Sequence, residues 1–310
     1  MNTNNKKLLI VIILLIPFAV ISFMKVGTNF NLPEDEKNRT AITVRIKLTS
    51  SDEIIENPLE EYLIGVVAAE MPALFHPEAL KAQAVAARTY ALSKLNNQGA
   101  YDLVDNTDNQ VYINIDKMHE KWLDEFDIYY EKIKKSVEET KNLVITYDKQ
   151  FIDAYYFAMS NGYTENAEMV FSEKRDYLKS VESVWDNEKL RNYTFETKIL
   201  SGEFCIKLGV SCQRIDIKIT DRSSTNRVNE IEVNGSVFKG TEFRKKLGLR
   251  STDFDIEKIG NYIVIITRGY GHGVGMSQHG ANGMANEGKT YIEILNYYYQ
   301  NTEIIDYNSV

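Results

Sequence analysis

The chain has 310 residues, 26% of them charged, and a formal net charge of −8. Its first 25 residues carry three lysines and no acid, so the remainder stands near −11. That balance excludes nucleic acid as a partner and argues against electrostatic capture by anionic lipid or wall polymer, while the length suits one large domain or two smaller ones.

Leu8 to Met24 is uncharged and almost wholly apolar, with Lys6 and Lys7 before it and Lys25 after it. The run is at the short end for a membrane span and longer than most signal-peptide cores. Val26-Gly27-Thr28 makes a poor cleavage site, so an uncleaved anchor over 8–24 is expected. Pro17 is tolerable inside it. The lysines place residues 1–7 in the cytoplasm as a short tail and everything beyond on the outer face. Residues 25–40 read as a linker.

Ala41 to Leu48 alternates and reads as a strand. Leu59, Tyr62, Leu63, Val66 and Val67 then recur at helical spacing and read as one buried face. Pro72 biases Met71 away from helical backbone, so this helix is expected to stop near Glu70. Carboxylates are disfavoured at a helix C-terminus by roughly 0.3–1 kcal/mol, and the Val and Ala neighbours desolvate the group. Both effects favour a proton on Glu70, as in the acid glutamate of glycosidases. The alternative is a solvated glutamate on the last turn.

His76-Pro77-Glu78 opens a second helix, with proline at its first position, that runs to Ala91. Its many alanines let neighbours approach closely. Gln83 and Arg88 are the polar residues on it most able to matter, unless both face solvent. Ile128 to Thr140 reads as a charged surface helix, and Leu143–Tyr147 with Phe151–Phe157 as a hairpin. Beyond Asn192 the texture changes. Arg214–Thr220 and Val228–Val233 alternate, Asn234-Gly235 signals a turn into Ser236–Phe238, and Thr241–Leu247 reads as a short helix. Residues 192–260 therefore read as a small inserted α/β subdomain. Within it, Cys205 and Cys212 form either a small disulfide loop or two free thiols; they make a poor zinc site.

After Tyr262–Thr267 comes Arg268-Gly-Tyr-Gly-His-Gly-Val-Gly-Met-Ser-Gln-His-Gly-Ala-Asn-Gly283. Such glycine density means positive φ or close backbone approach. The spacing fails as a dinucleotide loop. Gly275-Met-Ser277-Gln-His279 narrowly misses a serine nucleophile elbow. His272 and His279 lack a third metal ligand. The remaining reading is the floor of a substrate groove, with Gln278, His272 and His279 offering hydrogen bonds to sugar hydroxyls. The chain as a whole is expected to be α+β: a helical catalytic core (41–305) with mixed β-sheet, interrupted by the subdomain and preceded by one membrane anchor.

Taken together, Glu60-Glu61-Tyr62-Leu63, Val66 to Pro72, Pro77 to Tyr90, Asp105, Gln110-Val111-Tyr112, Ser160-Asn-Gly-Tyr-Thr-Glu165 and Gly269 to Gln278 resemble the stage II sporulation protein D family, which includes amidase enhancers. The likeness spans roughly residues 40 to 303. It implies a lytic transglycosylase that cuts peptidoglycan glycan strands and leaves 1,6-anhydro-N-acetylmuramic acid ends, with Glu70 as acid and then base. No water needs activating, so the usual second carboxylate is not required. The resemblance makes Arg88, Gln110, Tyr112, Ser160, Thr164, His272 and Gln278 candidate sugar contacts. It further implies action during forespore engulfment, on strands stripped of peptides, in a complex with a partner amidase and a polytopic membrane scaffold protein. The expected location is the mother-cell membrane, facing the septal wall. Some relatives carry His and Cys zinc ligands before Gln-Val-Tyr; Tyr101 to Ile115 here has neither, so no metal and no cofactor are expected. Two other classes compete. One is a non-catalytic activator of an amidase. The other is a water-adding muramidase using Asp105, Asp108 or Glu165.

Overall fold

The computed structural model describes residues 42–95 and 98–309. The expected tail, anchor and linker lie outside them, and no helix among the described residues is long and apolar enough to cross a membrane. The architecture is α+β, built from several small sheets around helices.

Strand β1 (Thr43–Lys47) pairs antiparallel with β2 (Ile54–Pro58) and parallel with β3 (Leu103–Val104). Helix α1 follows directly and spans Leu59–Glu70; Met71 is already extended and its N–H closes on the Val67 carbonyl at 3.1 Å. The stop falls where Pro72 requires it. Helix α2 spans Pro77–Lys94, with Pro77 at its first position and His76 Nδ1 accepting from the Glu78 N–H at 3.2 Å. Its residues are buried almost all round from Ala79 to Leu92. The alanines make this possible, because α1 and strand β4 (Leu143–Tyr147) can both pack close to its backbone.

Helices α3 (Ile115–Trp122) and α4 (Phe126–Glu138) come next. The expected hairpin forms only in part. β4 pairs with β5 (Gln150–Phe151) and, on its other edge, with β14 (Glu303–Asp306). Asp153 then turns away to meet Lys94 and Arg175 at 2.6 and 2.7 Å. The chain re-enters pairing as β6 (Tyr156–Phe157), parallel to β13 (Met276–Ser277). Short helix α5 (Ala167–Phe171) follows.

A second hydrophobic cluster runs from Ile199 to Ile265, centred on Phe204, Phe243 and Phe254. It holds β7 (Thr194–Leu200), α6 (Ser201–Leu208), the meander β8 (Ile217–Arg222), β9 (Val228–Val233) and β10 (Ser236–Lys239), and α7 (Gly240–Leu247). Asn234 and Gly235 both take positive φ, as a tight hairpin turn requires. β12 (Tyr262–Arg268) lies between β11 (Phe254–Ile259) and β7. The cluster thus extends past residue 260, because Ile263 and Ile265 supply its central strand. Helices α8 (Gln278–Asn286) and α9 (Tyr291–Tyr298) return the chain to the first core.

Cys205 and Cys212 are joined, which decides between the two readings of the pair. The bond ties the end of α6 to the loop after it. The loop-entropy relation gives about 2.5 kcal/mol for a ring this small. Replacing both cysteines by alanine is expected to lower stability by about that much, read from denaturant unfolding against the oxidised wild type.

Candidate active site

Glu70 ends α1, so its side chain leaves the buried stripe at the rim and is only partly exposed. Two donors hold the carboxyl: the Val111 N–H at 2.8 Å and, more loosely, the Gln278 amide at 3.4 Å. Burial pushes its pKa up; the Val111 and Gln278 hydrogen bonds and the charge of Lys121 pull the other way. Burial is the largest of these effects, so the net shift is upward, toward the acid form.

Each donor has a traceable cause. Val111 is brought to Glu70 because Tyr112 lies flat on α1 at Gly65, where any Cβ would collide with the Tyr112 ring. Tyr112 also stacks on Tyr62 and accepts from Asn57 Nδ2 at 2.8 Å. Gln278 comes from the glycine-rich segment. Gly269, Gly271, Gly273 and Gly275 all take positive φ, and a Cβ on Gly275 would strike the Tyr155 carbonyl. That path lays the segment on β6 and starts α8 at Gln278, capped by Ser277. The Gln278 amide also reaches Gln83 Oε1 at 3.4 Å, while the buried Gln83 Nε2 has no partner.

Gln110 is buried, accepting from the Tyr62 hydroxyl at 3.1 Å and donating to the Ala87 carbonyl at 3.3 Å. With Tyr90, Asp108, Tyr156, Phe171 and His272 it lines a cavity of about 110 Å³. The Tyr156 hydroxyl is buried beside this cavity; burial first, then the charge of Glu70, pushes its pKa well up. No sequence motif marks Tyr156 or Lys121.

Four expected sugar contacts stand elsewhere. Arg88 is fully buried: Nε and Nη2 bond Glu60 at 2.9 and 2.6 Å, and Nη1 and Nη2 reach the carbonyls of Leu143 and Val137 at 3.2 and 3.3 Å. A helix enclosed on all sides leaves its arginine no sugar to meet. Ser160 is buried and accepts from the Gly162 N–H, and Thr164 is buried and accepts from the Val181 N–H. Both hydroxyls shape the loop rather than line the cavity. Tyr112 is the anchor described above. For a water-adding enzyme, Asp105 is engaged by Thr49, and Glu165 is buried under Ser223 and Thr225. Asp108 alone of the three lines the cavity. Among the described residues no three His, Cys, Asp or Glu side chains are grouped to hold a metal ion.

His272 packs against Phe157 and Phe171, and its Nδ1 accepts from the Val274 N–H at 3.1 Å. Burial first, then the charges of Arg244 and Arg227, push its pKa down to about 4. The ring is therefore neutral at neutral pH. Between about 4 and its ordinary 6.5, the unfolded state binds a proton that the folded state refuses. Stability is thus expected to fall as pH drops through that window. Thermal unfolding of wild type and His272→Gln across it checks this: the variant should lose less.

The Stage II sporulation protein family matches residues 48–147, which take in Glu70, α2 and Val111. The chain is 43% identical over 271 residues to stage II sporulation protein D of Bacillus subtilis, covering 85% of this chain and 79% of that one. It is 41% identical over 284 residues to the protein of that name from Bacillus amyloliquefaciens, covering 89% and 82%. An amidase enhancer of Bacillus subtilis is 29% identical over 301 residues, covering 79% of this chain and 40% of the enhancer. With such identity over most of both chains, this protein belongs to the stage II sporulation protein D family.

Proposed function

We propose that the chain is a membrane-anchored lytic transglycosylase acting on peptide-stripped peptidoglycan strands during forespore engulfment, with its catalytic domain on the outer face of the mother-cell membrane. The observation that carries the reading is the setting of Glu70. Burial favours its proton, and two hydrogen-bond donors stand ready for the carboxylate once the proton has gone.

The Glu70 carboxyl gives its proton to the glycosidic oxygen between N-acetylmuramic acid and N-acetylglucosamine, and the C1–O bond breaks. The carboxylate, held by Val111 and Gln278, then takes the proton of the muramic C6 hydroxyl as O6 closes on C1. The 1,6-anhydro ring forms, Glu70 regains its proton, and no water is consumed. One residue acting in both directions needs a pKa near the working pH. Burial moves the Glu70 carboxyl upward from its ordinary value, in the direction this requires. Gln110, His272 and Gln278 remain the candidate sugar contacts.

A second reading, activation of a partner amidase without catalysis, is favoured by the likeness to an amidase enhancer. In both readings the partners are an amidase and a polytopic membrane scaffold protein. Product analysis separates them. Peptide-free glycan strands incubated with the full chain should yield anhydro ends by mass spectrometry. Ends heavier by one water would mean hydrolysis, and intact strands beside an accelerated amidase would mean activation.

A further inference from the structure

Helix α3 brings a cation to the last turn of α1, close enough for its charge to act on Glu70. The Lys121 ammonium donates to the Ala68 carbonyl at 2.7 Å, among the carbonyls that the last turn of α1 leaves open. Ala68 stands two residues before Glu70. The setting differs from that of Lys81 and Lys94, which lie directly on carboxylates, at 2.8 and 2.6 Å. Lys121 instead meets a carbonyl, and the charge that bears on it is Glu70. Viewed from Glu70, the surrounding groups are Tyr62 of its own helix, Tyr156 of β6, the Gln278 amide of α8, the Val111 N–H and Lys121. Lys121 is the one cation among them.

We propose that Lys121 is a positioning residue for Glu70: it fixes the last turn of α1 through Ala68 and keeps a positive charge within electrostatic reach of the carboxyl. Its consequence for turnover rests on the acid–base reading of Glu70; its effect on the carboxyl does not. Burial alone favours the acid form and so opposes the moment when the proton leaves. A nearby ammonium favours the carboxylate at that moment and offsets the negative end of the helix dipole. It therefore eases proton donation and holds the anion until the C6 hydroxyl returns a proton.

The test uses the full chain with ¹³C-labelled glutamate carboxyls, the Glu70 signal being identified by its loss in Glu70→Gln. Its titration is followed in wild type, Lys121→Gln and Lys121→Arg. Glutamine removes the charge but keeps an N–H donor for Ala68, whereas arginine keeps both. The Glu70 midpoint should move up in Lys121→Gln and return in Lys121→Arg. Turnover of peptide-free glycan should fall on the order of tenfold in Lys121→Gln, the scale of one screened charge pair. A midpoint unmoved in Lys121→Gln, with or without a lower melting temperature, would overturn the proposal and leave Lys121 a helix cap. A midpoint that moves in a protein making no anhydro product would sustain the proposal and sink the enzyme reading instead.

Discussion

Glu70→Gln is expected to lower the formation of anhydro ends by roughly 10²–10⁴-fold, the contribution typical of one general acid–base residue. The amide has the shape of the carboxyl, and its oxygen still accepts from the Val111 N–H that now bonds Glu70 at 2.8 Å. It has no proton to give to a leaving oxygen and cannot collect one from the C6 hydroxyl. The fold should not suffer, because removing a partly desolvated acid relieves a cost. Mass spectrometry of products, beside thermal unfolding, reads both consequences. A variant that still makes anhydro ends at the wild-type rate, with the same melting temperature, would make Glu70 a structural residue. If neither protein makes product and both accelerate an amidase, the activator reading stands.

The second large effect belongs to Arg88 and Glu60, and it is asymmetric. Arg88 has no solvent exposure, whereas the Glu60 side chain is 28% exposed. Glu60→Gln strands a buried guanidinium on two backbone carbonyls, Leu143 and Val137, and is expected to cost about 3–5 kcal/mol. Arg88→Met leaves a carboxylate that water can reach, in a pocket refilled by an apolar chain of similar length. It should cost clearly less. Denaturant unfolding of the two variants decides the order. Were Arg88 a sugar contact, Arg88→Met would weaken glycan turnover with little change in stability. Burial predicts the reverse pattern.

Much of the site was legible before any coordinates, for local reasons. Pro72 set the end of α1, and the spacing of Tyr62, Leu63, Val66 and Val67 set its buried face, so the exposure of Glu70 at the rim followed. The glycines of 269–275 announced positive φ and were found there. Gln278 reads from the sequence only as a donor to sugar; that it meets Glu70 has no local signal, since 208 residues separate them. Arg88 is a sugar contact by resemblance alone, while the alanines around it already point to the enclosed helix in which it is buried. Lys121 was missed because α3 was missed. The signal was present: Asn114 caps the helix, and Met118 and Trp122 are its buried anchors one turn apart. Two apolar residues among so many charges were too weak a pattern to read. Tyr156 falls in the far end of the expected hairpin's second arm, which in fact pairs with the glycine-rich segment.

The meeting of Glu70 with Gln278 also has a consequence in time. A chain emerging N-terminus first completes α1 and α2 long before Gln278 exists, and the second hydrophobic cluster must fold in between. Until the glycine-rich segment lays β13 beside β6, Glu70 lacks its second donor and the cavity at Gln110 lacks the wall made by His272. Contacts of such sequence separation form late. Nascent and truncated chains are thus without a finished site, and any wall-cutting activity arises only when the whole polypeptide has been delivered.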